Sequence, residues 1–107
     1  MAIYNKLVRD KIPEIIEDGG EMPITRILED EEYDRLLEAK LDEEVGEFHR
    51  DQNLEELADI LEVVYALADT IGSREALERI YAQKHEARGG FEKRIYLIGK
   101  EVGERHD

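Results

Sequence analysis

Cysteine and tryptophan are absent from this 107-residue sequence, proline occurs only twice, and positive charges are far fewer than negative ones. The absence of cysteine excludes disulfides, thiolate metal ligands and cysteine nucleophiles. No apolar run approaches the roughly 18–20 residues that span a bilayer, and the amino terminus lacks the apolar core of a secretory signal. We therefore expect a cytoplasmic protein with no membrane partner. The length predicts a single domain over residues 1–107.

The excess of negative charge is concentrated in one central segment. The formal net charge is -13, and residues 29–69 hold 16 acidic and three basic residues, while the remainder holds 12 of each. So acidic a chain repels a phosphate backbone, which argues against a nucleic acid polymer as the main partner. Most acidic segments are solvated helix faces, so the question is whether these acids face water or one another.

Capping residues and apolar periodicity predict an all-α protein. We expect helices over about residues 11–18, 31–51, 54–71 and 74–88, with N-caps at Asp10, Asp30, Asn53 and Ser73. The segment near 21–28 is predicted as an extended connector or short strand, and the one near 91–98 as a terminal strand or an irregular arm. Only two or three residues join the two long helices, which predicts an antiparallel helix hairpin at the centre of a helical bundle.

Each arm of the predicted hairpin has two acids at i,i+3 spacing beside its apolar face. Projection at 100° per residue places Glu44 within about 40° of apolar positions of the first arm, with Glu47 as its i+3 neighbour. Glu56 and Asp59 form the corresponding pair on the second arm. Four converging carboxylates repel one another unless they are protonated or bridged by cations. Oxygen ligands favour Mg²⁺ or Mn²⁺ over zinc or copper, so the spacing predicts a site for a hard divalent ion.

The acid pattern also resembles a known signature. Glu43-Glu44-Val45-Gly46-Glu47, followed by Glu56-Leu57-Ala58-Asp59, is similar to the EExxE…ExxD signature of the all-α nucleoside triphosphate pyrophosphohydrolases. The flanking segments YNKLVRDKIPEII (4–16) and KHEARGGFEKRIYL (84–97) resemble a MazG-like subgroup often labelled phosphoribosyl-ATP pyrophosphohydrolase-like. The resemblance covers nearly the whole chain.

The resemblance implies Mg²⁺-dependent hydrolysis of a nucleoside triphosphate to the monophosphate and pyrophosphate. It implies that Glu44, Glu47, Glu56 and Asp59 bind the metal, with Glu44 and Glu43 as catalytic residues. Glu43 projects about 100° from Glu44, which favours a role in orienting water. The triphosphate needs cations, and the candidates are Arg9, Lys11, Lys40, Lys84 and Arg88. These bases could equally screen the acidic segment, and Lys40 could pair with Glu43 or Glu44 on the helix surface.

Several alternatives remain open at this stage. Glu56 also occupies the N3 position of a capping box after Asn53, a role that competes with metal binding. A ferritin-like di-iron site requires Glu-x-x-His, and the sequence has none, since Arg50 follows Glu47 at i+3. Other readings are a phosphoribosyl-ATP pyrophosphohydrolase of histidine biosynthesis, a house-cleaning enzyme for non-standard nucleotides, and a non-catalytic acidic helical module for oligomerisation or binding. The helix over 54–71 is apolar round most of its circumference, which predicts a homodimer or homotetramer.

Overall fold

The computed structural model describes residues 1–103 and is all-helical, as predicted. It contains four α-helices: α1 (Ile12–Asp18), α2 (Asp30–Asp51), α3 (Leu54–Ile71) and α4 (Arg74–Arg88). No strand is present within residues 1–103. None of the helices in this range is long and apolar enough to cross a membrane.

The antiparallel hairpin of α2 and α3 forms the centre of the fold, and its tight turn explains why the two helices pack side by side. Gln52 takes a left-handed conformation (φ 50°, ψ 48°), and its N–H donates to the Phe48 carbonyl, which ends α2. Asn53 then caps α3 by accepting a hydrogen bond from the Glu56 N–H at 2.9 Å. Because two residues reverse the chain, α3 packs back against α2. Leu37 from α2 and Val63 from α3 are buried between them.

Helix α4 is attached to α3 mainly through its first turn. Ser73 caps it by accepting a hydrogen bond from the Ala76 N–H, and the Arg74 N–H donates to the Asp69 carboxylate. The Arg74 guanidinium also lies 3.8 Å from the centre of the Tyr65 ring, a cation–π contact. From Glu78 onward every residue of α4 is exposed. The second half of α4 therefore projects from the hairpin rather than covering it.

Two predicted N-caps differ from the structure, and the segments 21–28 and 91–98 take the irregular one of their two predicted forms. Helix α1 begins at Ile12 after Lys11, and α2 begins at Asp30 after Glu29, without a side-chain cap in either case. Asp10 and Asp30 are therefore not the N-caps, although Asp30 still places a negative charge in the first turn, where the helix dipole favours it. The segments 21–28 and 91–98 are not strands, because no neighbouring strand within residues 1–103 offers a hydrogen-bonding edge.

The chain is unusually extended for its size. Its radius of gyration is 20.3 Å and its extents are 74 × 30 × 20 Å, whereas a compact domain of this length has a radius of about 13 Å. Its accessible surface is 10340 Å², against about 6,100 Å² for a compact monomer of this mass. Only Leu37, Val63 and Ala68 form a buried apolar core among the described residues. Many large apolar side chains of one copy are therefore exposed, among them Met22, Ile27, Ile71 and Phe91.

Candidate metal centre

The hairpin brings the two predicted acid pairs together. Glu44 and Glu47 lie one turn apart on α2, and Glu56 and Asp59 lie one turn apart on α3. One carboxylate oxygen from each of the four residues lies within 4.8 Å of all the others. Carboxylate oxygens gathered this closely are the ligands that a hard divalent cation such as Mg²⁺ prefers.

Two oxygens of this acidic centre are buried without a partner. Glu44 Oε2 and Glu56 Oε2 are shielded from solvent and accept no hydrogen bond. The Glu44 residue as a whole is only 7% exposed. A buried carboxylate oxygen with neither a donor nor a cation is strongly unfavourable, because it has lost its hydration without compensation. The four residues present therefore fit a bound divalent cation, which would compensate the buried charge of this cluster.

The electrostatics of the centre raise two pKa values. Burial raises the pKa of the Glu44 carboxyl, and the neighbouring Glu47 carboxylate raises it further, while Lys40 acts in the opposite direction. Burial also raises the pKa of Glu56, with the nearby Glu47, Asp51 and Asp59 charges adding to the effect. In both groups the ionised form is disfavoured, and a cation among the four carboxylates would reverse that preference.

Two of the predicted phosphate-binding cations lie at the edge of the centre. Lys40 Nζ on α2 is 3.4 Å from Glu44 Oε1 and 3.3 Å from Glu43 Oε2. Arg9 reaches the centre from the segment before α1, with its Nη1 3.1 Å from Asp59 Oδ1. Its second terminal nitrogen is 3.9 Å from Glu62 Oε2. These contacts join residues at least 50 positions apart and link the amino-terminal segment to the hairpin.

A cleft of about 190 Å³ opens beside the carboxylates. Residues 7–10 form one wall, and α2 and α3 form the others, with Tyr33, Lys40, Glu44, Asp59 and Glu62 among the residues that line it. The cleft is smaller than the roughly 300–1,000 Å³ of pockets for drug-sized ligands. Its volume therefore suits a phosphate chain better than a complete nucleotide.

The structure does not bring every predicted residue to this cleft. Glu43 is outside the four-carboxylate cluster. Its carboxylate pairs with Lys40, and the Glu43 side chain is 42% exposed. Lys11 lies at the start of α1, and Lys84 and Arg88 lie on the exposed half of α4; within residues 1–103 none of these three lines the cleft. In a single copy, Arg9 and Lys40 are the predicted cations that accompany the acids.

Glu62 and Tyr33 are among the cleft residues that the sequence-based prediction of the site did not include. Glu62 pairs with Arg9, and its position one turn beyond Asp59 on the polar strip of α3 is a signal that could have identified it. Tyr33 lines the cleft one turn before Leu37 on α2. Nothing in the spacing of a lone tyrosine separates this position from an ordinary core contact, so only the folded hairpin identifies it.

Comparison with known proteins adds one short similarity. No family model matches the chain, and no solved structure matches it. An uncharacterized protein of Mycolicibacterium smegmatis (strain ATCC 700084 / mc(2)155) is 57% identical over 42 residues, which is 39% of this chain and 43% of that protein. The chain thus spans less than half the length of this relative. The similarity is therefore between 42 residues of this chain and part of one mycobacterial protein.

Proposed function

We propose that this protein is a Mg²⁺-dependent nucleoside triphosphate pyrophosphohydrolase of the MazG-like type, which releases a nucleoside monophosphate and pyrophosphate. The observation that supports it most is the acidic centre: four carboxylates within 4.8 Å, two of which have a buried oxygen without a partner. The resemblance of the acid pattern to the EExxE…ExxD signature supplies the reaction class. Mn²⁺ is the alternative ion, since it accepts the same oxygen ligands.

Each residue of the centre has a role in this proposal. Glu44, Glu47, Glu56 and Asp59 would hold the ion. When bound, the ion neutralises triphosphate oxygens and lowers the pKa of a coordinated water. Glu43, which is outside the cluster, would accept a hydrogen bond from the attacking water and orient it. The water oxygen would form a bond to the α-phosphorus as the bond from that phosphorus to the pyrophosphate oxygen breaks, and Glu43 would take the proton that the water loses and pass it to solvent.

The cations would hold the substrate. Lys40 and Arg9 lie at the edge of the acids and line the cleft, so each could exchange a carboxylate partner for a phosphate oxygen when substrate enters. Lys11, Lys84 and Arg88 remain candidates for phosphate contacts beyond the cleft. The size of the cleft leaves the base and sugar outside it, where other residues would choose between nucleotides.

Three further properties belong to the same proposal. The substrate would be a non-standard nucleotide in a house-cleaning role, with phosphoribosyl-ATP as the alternative. The protein would act in the cytoplasm. It would work as a homodimer or homotetramer, which the 10340 Å² of accessible surface supports.

The test is pyrophosphate release from a panel of nucleoside triphosphates, including phosphoribosyl-ATP, with Mg²⁺ or with EDTA. Orthophosphate is measured in parallel, because attack at the γ-phosphorus would release it instead. We expect Mg²⁺-dependent pyrophosphate release that Glu44→Gln lowers at least about 100-fold, since loss of a metal ligand removes several kcal/mol of charge stabilisation.

Glu38→Gln is the matched control, because Glu38 is an exposed glutamate on the same helix and outside the acidic centre. This variant should retain wild-type activity. Strict preference for phosphoribosyl-ATP would replace the house-cleaning role with the biosynthetic one. No pyrophosphate from any nucleotide, together with a melting temperature that Mg²⁺ leaves unchanged, would favour the non-catalytic acidic module instead.

A further inference from the structure

An apolar arm follows α4 and contacts little of its own chain. Residues 91–103 have no regular structure, and the apolar side chains among them are 79–98% exposed: Phe91, Ile95, Tyr96, Leu97, Ile98 and Val102. Exposed apolar area on this scale is uncommon on a monomer and marks a surface that another protein covers. Basic residues lie between the apolar ones, at Lys93, Arg94 and Lys100.

Helix α3 has an exposed apolar stripe on the side away from the acidic centre. Leu54, Leu57 and Leu61 lie within about 60° of arc on the helix, and the buried Val63 lies about 180° from Leu54. These three leucines are 81%, 44% and 48% exposed, respectively. The stripe is therefore left uncovered by α2, which packs on the opposite side. In the second half of α3, the first turn of α4 covers the corresponding side.

A row of acids borders the leucine stripe. Glu55, Glu62 and Asp69 recur at heptad spacing, within about 60–100° of Leu54 on the helix projection. The surface to be covered is thus apolar with an acidic margin. The chain supplies the opposite pattern in residues 84–100, which hold five bases and two acids. Opposite charges at the margins of an apolar contact fix its register and disfavour wrong partners.

The arm of the same copy is poorly placed to reach this stripe. Helix α4 starts at the end of α3 that is distant from Leu54, and the exposure of its second half shows that it does not return along α3. The arm of a second copy is free of this constraint, because the α4 helix that precedes it does not start from this copy's α3. Thirteen extended residues span about 43 Å, and α3 is about 27 Å long. The excess accessible surface, about 4,000 Å² per chain, far exceeds the roughly 800 Å² that one partner buries in a standard interface.

We propose that residues 91–103 of one copy pack on the leucine stripe of α3 in a second copy, in a reciprocal arm exchange. The apolar arm residues cover Leu54, Leu57 and Leu61, and Lys93 and Arg94 face the acid row that includes Glu55. Antiparallel packing of two α3 stripes would instead bring the two acid rows to the same flank of the interface, and the like charges disfavour it. The exchange does not depend on nucleotide hydrolysis, because it uses the side of α3 away from the acidic centre.

The absence of cysteine from the sequence allows a clean cross-linking test. Full-length Ile95→Cys and Leu57→Cys proteins are made separately, mixed, oxidised, and separated by size under non-reducing conditions, with one of the two carrying a mass tag. We expect the mixed disulfide to exceed that of the control pair, Ile24→Cys with Leu57→Cys, by about tenfold or more, because facing thiols have effective concentrations near the millimolar range. Ile24 is also exposed but lies outside the arm.

Three outcomes would overturn the exchange. They are a Leu57→Cys homodimer that forms faster than the mixed disulfide, an intrachain disulfide in the Ile95→Cys/Leu57→Cys double variant, and a wild-type protein that light scattering shows to be a monomer.

A charge test provides an independent readout. Lys93→Glu/Arg94→Glu should raise the dissociation constant of the dimer about tenfold, and adding Glu55→Lys should recover part of that loss. Loss without any recovery would contradict the contact between the arm and the acid row.

Discussion

Glu44 is the residue that links the packing of the hairpin to the chemistry of the centre. It is the one buried charged residue within the described part of the chain, and it lies near the core residues Leu37 and Val63. One of its oxygens contacts Lys40, and the other has no partner. A glutamine would fill the same space without the charge. Glu44→Gln therefore separates the role of Glu44 in packing from its role in cation binding, since it should weaken cation binding while it relieves the repulsion among the carboxylates.

The raised pKa values of Glu44 and Glu56 give this centre a pH dependence with a definite sign. A carboxyl whose pKa is higher in the folded than in the unfolded state takes up its proton first in the folded state. Without a divalent ion, the free energy of unfolding contributed by these groups therefore rises as the pH falls through their raised pKa values. Mg²⁺ requires both carboxylates to be ionised, so its stabilising effect is full above those values and is lost below them.

We predict that the increase in melting temperature caused by Mg²⁺ is larger at a pH above the raised carboxyl pKa values than at a lower pH where Glu44 and Glu56 take up protons. Thermal unfolding followed by circular dichroism, with Mg²⁺ or with EDTA at each pH, measures it. Glu44→Gln should lose most of the increase, whereas Glu38→Gln should behave as the wild type. An increase in melting temperature that is the same at both pH values would mean that the carboxyl groups with raised pKa values do not bind the ion.

At the scale of the elements, the first turn of α3 connects stability to cation binding. Asn53 caps this turn, and Glu56, whose N–H donates to the Asn53 side chain, is also a member of the acidic centre. Of the two roles that competed for the Glu56 carboxylate, the structure shows membership of the acidic cluster and not the reciprocal bond of a capping box: the Glu56 N–H donates to the Asn53 side chain, and the carboxylate lies among the other acids. If the cap is removed, the turn that positions Glu56 frays.

We predict that Asn53→Ala lowers the free energy of unfolding by about 1 kcal/mol and also weakens Mg²⁺ binding. Ser73→Ala is the matched control, since Ser73 caps α4 in the same way and α4 contributes no member of the acidic centre. It should cost a similar free energy and leave Mg²⁺ affinity unchanged. Denaturant unfolding and calorimetric titration measure the two quantities, and an equal loss of affinity in both variants would argue against the local connection.

Local patterns predicted the elements that depend on local interactions. The apolar periodicity and the short turn between the long helices predicted the hairpin. The helical projection predicted the convergence of its four acids, because helix geometry relates the spacing of residues in the sequence to the direction of their side chains: Glu44, Glu47, Glu56 and Asp59. The choice between strand and irregular segment near 21–28 and 91–98 stayed open in the sequence, because a strand needs a partner, which local sequence cannot supply; both segments are irregular. The Arg9–Asp59 contact was likewise beyond periodicity, since it joins residues 50 positions apart.

At the scale of the whole molecule, the core of a single copy is small. Within residues 1–103, three apolar residues are buried, and the accessible surface far exceeds that of a compact monomer. If the chain associates as proposed, association would supply much of its hydrophobic stabilisation. Folding and assembly should then be one coupled equilibrium, in which a higher concentration of chains favours the folded state.

We predict that the melting temperature rises by about 3 °C for each tenfold increase in protein concentration, as expected for coupled folding and dimerisation at typical unfolding enthalpies. Differential scanning calorimetry over two decades of concentration measures the slope. Lys93→Glu/Arg94→Glu serves as the comparison, since a weaker dimer should melt at a lower temperature at every concentration. A melting temperature independent of concentration would show that one copy is stable alone.

The turn at Gln52 and Asn53 has a consequence for how the protein folds. Glu44 and Asp59 are only 15 positions apart along the chain, so the acidic centre closes a short loop, and little chain entropy is lost in forming it. Local contacts of this kind form early and quickly, whereas contacts between distant segments form late. The cation-binding geometry can therefore exist in the hairpin before Arg9 docks or a second copy arrives. An ion captured at that stage would act as a folding nucleus for the rest of the chain.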